Sequence, residues 1–181
     1  EMDWYEAFNK KTTKSSFDPS ICWDLPDKGT GFAAYNIDDL KGKKGDVYGY
    51  DQIGTKETID TMLRIAEAWH KSHPDRLLQY GDISRPGGID TPDHQGHQNG
   101  AIFDIRPLRN DSKLEKLTLD SNGNHPNYDR ELTKECITLI KGSFKARKIL
   151  FNDPVILRDS AFKSFVFKSD PSHFNHFHVE L

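Results

Sequence analysis

Residues 172–181 read SHFNHFHVEL, and their alternating pattern predicts a β-strand that carries chemically reactive groups on one face. Successive side chains of a strand point to opposite faces of its sheet. One face of this strand is apolar and suits a buried core, and it carries Phe177, Val179 and Leu181. The opposite face carries three ionisable side chains, those of His176, His178 and Glu180.

A second stretch, GAIFDIR at residues 100–106, shows the same alternation. Its apolar face carries Ala101, Phe103 and Ile105, and its other face carries Ile102, Asp104 and Arg106. If the two strands are neighbours in one sheet, Asp104 and His178 can meet across it. His97 can then reach both of them from the loop that precedes this strand.

Two imidazoles and one carboxylate predict a site for one zinc ion. Catalytic zinc takes three protein ligands and keeps a fourth position open, whereas structural zinc takes four ligands, usually with thiolates. Cys22 and Cys136 alone cannot supply such a thiolate set. His176 lies on the same face as His178 and two residues away, so it could hydrogen-bond an attacking water or an oxyanion. Either His94 or His173 could be a further water-positioning group.

A less specific interpretation of these residues remains open. Any one of the histidines could be exposed to solvent, or buried in the core with its hydrogen bonds made. Asp104 could be an ordinary acid at a strand edge. Arg106 could pair with Glu180 on the polar face. A disulfide between Cys22 and Cys136 is also open.

The rest of the chain predicts an α+β fold. Helical periodicity runs from about Lys56 to His73 and from about Asp129 to Phe144. Strand patterns occur in RLLQYGDIS and KILFND. We expect a single domain over residues 1–181, with residues 1–36 as an irregular segment packed on it. Its central sheet should be mainly antiparallel, with helices packed mostly on one side.

Composition argues against a nucleic-acid-binding surface as the main role and against a membrane span, and it leaves room for a local basic pocket. The net charge is -3 and the chain has no long basic run, so a nucleic-acid-binding surface is not expected. No apolar run approaches the ~18 residues that a membrane span needs, so no span is predicted.

The histidine-rich stretches also resemble a known family. The chain contains GDIS at residues 81–84, then HQGHQNGAIFDIRP, and finally HFNHFHVEL. This pattern is similar to that of the penicillin-insensitive murein endopeptidases. They belong to a wider group of zinc peptidases that includes D-Ala-D-Ala carboxypeptidases and lysostaphin-type enzymes. Weaker similarities are LPDKGTGF, ETIDTMLRIAEAW and ILFNDP, so the resemblance covers most of the chain.

The resemblance implies a reaction and a set of residues. Zinc would be bound by His97, Asp104 and His178, His176 would be catalytic, and His94 and His173 would line the active site. The substrate would be a peptide of peptidoglycan, cut at its crosslinks between D-alanine and diaminopimelate. The protein would work in the periplasm or elsewhere in the bacterial cell envelope, outside the cytoplasm.

Several alternatives share this site. A D,D- or L,D-carboxypeptidase would use the same metal ligands. Hedgehog-type signalling domains show that such a zinc site can persist in a non-catalytic binding module, although a binding role needs no group like His176. Arg85 or Arg106 could bind a substrate carboxylate, or each could form a surface ion pair. A housekeeping enzyme of wall remodelling and a toxin injected into rival bacteria would use the same chemistry.

Overall fold

The computed structural model describes residues 18–34, 51–88 and 99–181. Its nine strands within these ranges are β1 (Trp23–Asp24), β2 (Lys28–Gly29), β3 (Phe32–Ala34), β4 (Ile53–Gly54), β5 (Leu78–Tyr80), β6 (Ile102–Ile105), β7 (Lys148–Leu150), β8 (Val166–Phe167) and β9 (Phe177–Glu180). Its three helices there are α1 (Lys56–Ser72), α2 (Arg130–Ser143) and α3 (Pro154–Arg158). Two 3₁₀ turns span Pro86–Gly88 and Pro171–Phe174.

A mixed sheet forms the centre of the fold. Its strand order is β2-β3-β5-β6-β9-β7-β8, and β1 pairs with β4 in a separate two-stranded sheet. In the large sheet β2–β3, β5–β6, β6–β9 and β7–β9 are antiparallel, while β3–β5 and β7–β8 are parallel. The predicted α+β class with a mainly antiparallel sheet is therefore confirmed, and β6 and β9 are central neighbours.

Both long helices form where periodicity predicts them. The Thr55 side chain caps α1 by accepting from the amide of Thr58, and α1 ends at Ser72, just before Pro74. The Asp129 side chain caps α2 in the same way. Since each helix has one apolar face, each can bury that face against the sheet.

The core joins both long helices to the apolar sides of the strands. Met62 and Trp69 of α1 and Ile140 of α2 lie in one buried cluster with Phe103 and Phe177. The short helix α3 lies beyond β7 and contacts β8 at the end of the sheet. The three helices are therefore not clearly on one side of the sheet, so this part of the predicted arrangement is not clearly met.

Two other expectations concern the N-terminal segment and the cysteines. Residues 18–34 of the segment expected to be irregular form three short strands, and β3 pairs with β5 in the central sheet. Cys136 is a free thiol and forms no disulfide with Cys22, and its side chain lies in the core, 0% exposed. Among the described residues, no helix has the length and apolar character needed to cross a membrane.

Candidate metal and catalytic site

The register between β6 and β9 brings the two predicted ligands together. Asp104 is directly opposite His178 in this antiparallel pair. The Oδ1 atom of Asp104 lies 3.5 Å from Nδ1 of His178. The two residues are only 3% and 6% exposed. The prediction that they meet across the sheet is confirmed.

Two further histidines lie close to this pair. Nε2 of His176 lies 3.6 Å from Oδ2 of Asp104. The ring of His173 has its centroid 4.9 Å from that of His176 and 5.7 Å from that of His178. The structure thus places two imidazoles beside one buried carboxylate, with the third ring of His173 packed against both of them.

Backbone hydrogen bonds from the GDIS segment fix Asp104 in place. The amide of Gly81 donates to the carbonyl of Asp104 over 2.8 Å, and the amide of Asp104 donates to the carbonyl of Asp82 over 3.1 Å. The hydroxyl of Ser84 accepts from the amide of Gly100 over 3.0 Å. Gly100 has a φ of +67°, which favours glycine. The segment therefore positions the beginning of β6 and with it the carboxylate.

Asn152 holds the segment that leads into β9. Its Nδ2 donates to the carbonyls of Ser169 and Asp170 over 3.1 and 2.8 Å, and its Oδ1 accepts from the amide of Ser169 over 2.8 Å. Its own amide donates to the carbonyl of His173 over 3.0 Å. Asn152 is 3% exposed. This side chain joins the end of β7 to the turn that carries His173.

Glu180 lies beyond His178, on the side away from Asp104. Its Oε1 is 3.8 Å from Nε2 of His178, and its Oε2 contacts Arg147 and Lys148 over 3.2 and 3.1 Å. A carboxylate behind a metal-binding histidine commonly fixes the ring's orientation and tautomer. The two cations hold the Glu180 carboxylate near the ring.

The donor set fits part of a zinc site. Two ligands of one tetrahedral zinc, each about 2.0–2.2 Å from the ion, lie about 3.3–3.6 Å apart. The 3.5 Å between Asp104 and His178 agrees with this spacing. Within residues 18–34, 51–88 and 99–181, no three His, Cys, Asp or Glu side chains form a group that could hold a metal ion. His97, the predicted third ligand, and His94 lie outside the described residues.

Arg85 and Arg106 are both buried, so neither guanidinium lies at the surface. Nη1 of Arg106 donates to Oε1 of Gln79 over 2.9 Å. Arg106 also lines a cavity of about 10 Å³ beside Arg76 and Arg109. The alternative in which Arg106 pairs with Glu180 is not met. Arg106 contacts Gln79, and Glu180 contacts Arg147 and Lys148. Substrate binding by Arg85 and Arg106 stays a prediction.

Asn152 and Asp170 support the site and are not among the residues predicted from the sequence. The only sequence signal for them was the ILFNDP similarity and the Asp-Pro-Ser turn before His173. Neither signal specifies a contact, because the partners of Asn152 lie 17 and 18 residues away along the chain.

The chain matches no protein-family model and no curated protein.

Proposed function

We propose that this protein is a zinc-dependent peptidoglycan endopeptidase that hydrolyses the peptide crosslinks between murein stem peptides. The bond cut would join D-alanine to diaminopimelate, in the periplasm or elsewhere in the bacterial cell envelope. The observation that carries the proposal is the buried pair of Asp104 and His178, with His176 on the same carboxylate. The resemblance to murein endopeptidases supplies the substrate class and the cellular location.

Three residues would hold the metal in this proposal. Asp104 and His178 have suitable donor atoms at a suitable spacing, and His97 would be the third ligand. When bound, the zinc ion would polarise the scissile carbonyl and lower the pKa of a water molecule. One carboxylate only partly neutralises the charge of the ion, so the site keeps a net positive charge that favours an oxyanion.

His176 would be the general acid–base group, which accepts and donates a proton during hydrolysis. Its Nδ1 lies 2.7 Å from Oδ1 of Asn175, an amide oxygen that accepts hydrogen bonds. In the tautomer in which Nδ1 donates to this oxygen, the neutral ring carries its lone pair on Nε2. Nε2 is the atom that faces Asp104, so a proton acceptor stands beside the ligand pair. This arrangement serves general acid–base catalysis, which a pure binding module does not need.

Burial strengthens each of these interactions. Asp104 and His178 are almost fully buried, and the His176 side chain is 16% exposed. Electrostatic interactions in such surroundings are stronger than in water. His176 thus lies nearer the solvent than the ligand pair, where substrate and water could reach it.

Zinc titration tests the metal site. We expect the wild-type chain to bind one zinc ion, and we expect Asp104→Asn and His178→Ala each to weaken binding at least tenfold. Deletion of residues 176–181 should abolish it. The matched control is His125→Ala, which removes an imidazole from a loop where its Nδ1 accepts from the amide of Asn127. Equal affinity in all variants would assign zinc to another site.

A substrate panel separates the proposed reaction from its alternatives. Crosslinked dimers, monomeric pentapeptides and L,D-linked muropeptides are incubated with the protein, and product masses identify the bond cut. Cleavage of dimers alone supports the endopeptidase. Loss of terminal D-alanine from monomers indicates a carboxypeptidase, and zinc-dependent binding without any turnover indicates a binding module.

A further inference from the structure

The chain contains the same turn twice, and only the second carries a histidine. Asp18-Pro19-Ser20 and Asp170-Pro171-Ser172 share their three residues. In each turn the aspartate Oδ1 accepts from the serine amide, over 3.0 and 2.9 Å, and from the serine hydroxyl. In each the amide of the fourth residue donates to the aspartate carbonyl over 3.1 Å. That fourth residue is Ile21 in the first turn and His173 in the second.

Oxygen atoms surround Nδ1 of His173. Oδ1 and the carbonyl oxygen of Asp170 are each 3.3 Å away, and Oγ of Ser172 is 3.4 Å away. The first two can only accept hydrogen bonds while the carboxylate is ionised. Ser172 donates its hydroxyl proton to Asp170, so its oxygen is also left to accept. Nδ1 must therefore be the protonated nitrogen.

The charge state of Asp170 agrees with this assignment. The hydrogen bond from the Ser172 hydroxyl, together with smaller contributions from the Ser172 amide and His173, holds the pKa of Asp170 below its ordinary value. The carboxylate is consequently ionised at neutral pH. An ionised acceptor makes a stronger hydrogen bond than a neutral one.

A neutral imidazole protonated on Nδ1 carries its lone pair on Nε2. The His173 ring is 6% exposed and packs against the rings of His176 and His178. The ring is therefore shielded from bulk solvent and lies beside two histidines of the candidate site.

We propose that Asp170 is a positioning residue that holds His173 as the Nδ1–H tautomer, so that Nε2 accepts a hydrogen bond from the attacking water. The role in hydrolysis rests on the proposed function, but the tautomer does not. For histidines that bind a metal, removal of such an orienting carboxylate typically costs about 10–100-fold in activity or metal affinity, and we expect a loss at the lower end of this range for His173.

Nuclear magnetic resonance of the histidine rings tests the tautomer directly. The full chain is labelled with ¹⁵N-histidine, and two-bond ¹H–¹⁵N correlations identify the protonated nitrogen of His173 at a pH where the ring is neutral. We expect Nδ1–H in the wild-type chain and in Asp18→Asn, which alters the same turn without a histidine. Asp170→Asn keeps an amide oxygen to cap the turn but removes the charge, and should shift His173 toward Nε2–H.

The wild-type spectrum alone can overturn the inference, because an Nε2–H ring would contradict it even if Asp170→Asn failed to fold. Unchanged ring shifts in a folded Asp170→Asn would contradict it too. In kinetics on crosslinked muropeptides, Asp170→Asn should lower kcat about tenfold with KM unchanged, and should lower it no further in a His173→Ala background. An equal loss in both backgrounds would show that Asp170 acts independently of His173. If the wild type turns over no muropeptide, the proposed function fails while the tautomer result still decides the assignment.

Discussion

Asn152→Ala should destabilise the fold and loosen the turn that carries His173. The substitution removes the three side-chain hydrogen bonds to Ser169 and Asp170. At about 1 kcal/mol for each bond, the free energy of unfolding should fall by about 3 kcal/mol. The main-chain bond from residue 152 to the carbonyl of His173 is retained, so the strand itself should persist.

Urea denaturation at equilibrium measures this change. The matched control is Asn110→Ala, which removes a single exposed hydrogen bond to the carbonyl of Pro126 and should cost less than about 0.5 kcal/mol. Hydrogen exchange should be faster at the Ser169 amide, which loses its acceptor in Asn152→Ala. A loss of stability below about 1 kcal/mol, or one equal to the control, would refute the account of this buried side chain.

Three further predictions concern other parts of the site and its surroundings. Ser84→Ala should lower the free energy of unfolding, measured by urea denaturation, by about 1–3 kcal/mol, because the buried amide of Gly100 loses its acceptor. An unchanged free energy of unfolding would contradict the role of Ser84 in positioning β6. The hydrogen bond from Arg109 holds the pKa of Asp111 at about 2, below the ordinary 3.8. The ionised Asp111 carboxylate therefore contributes to the stability of the fold above pH 3.8, and this contribution is lost as the pH falls through about 2. Asp111→Asn should therefore flatten the loss of stability over this acid range, and an unchanged slope would rule out Asp111 as a contributor. Arg106→Ala should raise KM for crosslinked muropeptides if the guanidinium binds a substrate carboxylate. Lower stability with an unchanged KM would instead assign Arg106 a structural role, to which its hydrogen bond with Gln79 contributes.

The central part of the fold was predictable because its patterns are long and regular. The alternation in β6 and β9 indicated which face is apolar, and a one-residue error would have moved every side chain to the wrong face. That constraint is why Asp104 and His178 could be predicted to meet if the two strands are neighbours, and the structure shows that they are. Helices α1 and α2 likewise have several turns of apolar periodicity, so their bounds were predicted to within one residue or two.

Other features depend on contacts that the sequence does not encode locally. Strands β2 and β3 have two and three residues, which is too short for a periodic signal. The partner of Arg106 depends on β5 lying beside β6, which places Gln79 next to it rather than Glu180. Asn152 acts across a chain separation of 17 and 18 residues. Each of these contacts follows from the sheet order, which periodicity within single segments does not determine.

The central claim is that Asp104, His176 and His178 belong to a zinc-dependent hydrolytic site for murein crosslinks. The most direct test is mass spectrometry of purified crosslinked muropeptide dimers incubated with the protein, with and without chelator, and with His176→Ala alongside. The account predicts conversion of dimers to monomers that the chelator stops, that added zinc restores, and that His176→Ala lacks. Dimers that stay intact while the wild-type protein demonstrably binds zinc would contradict it.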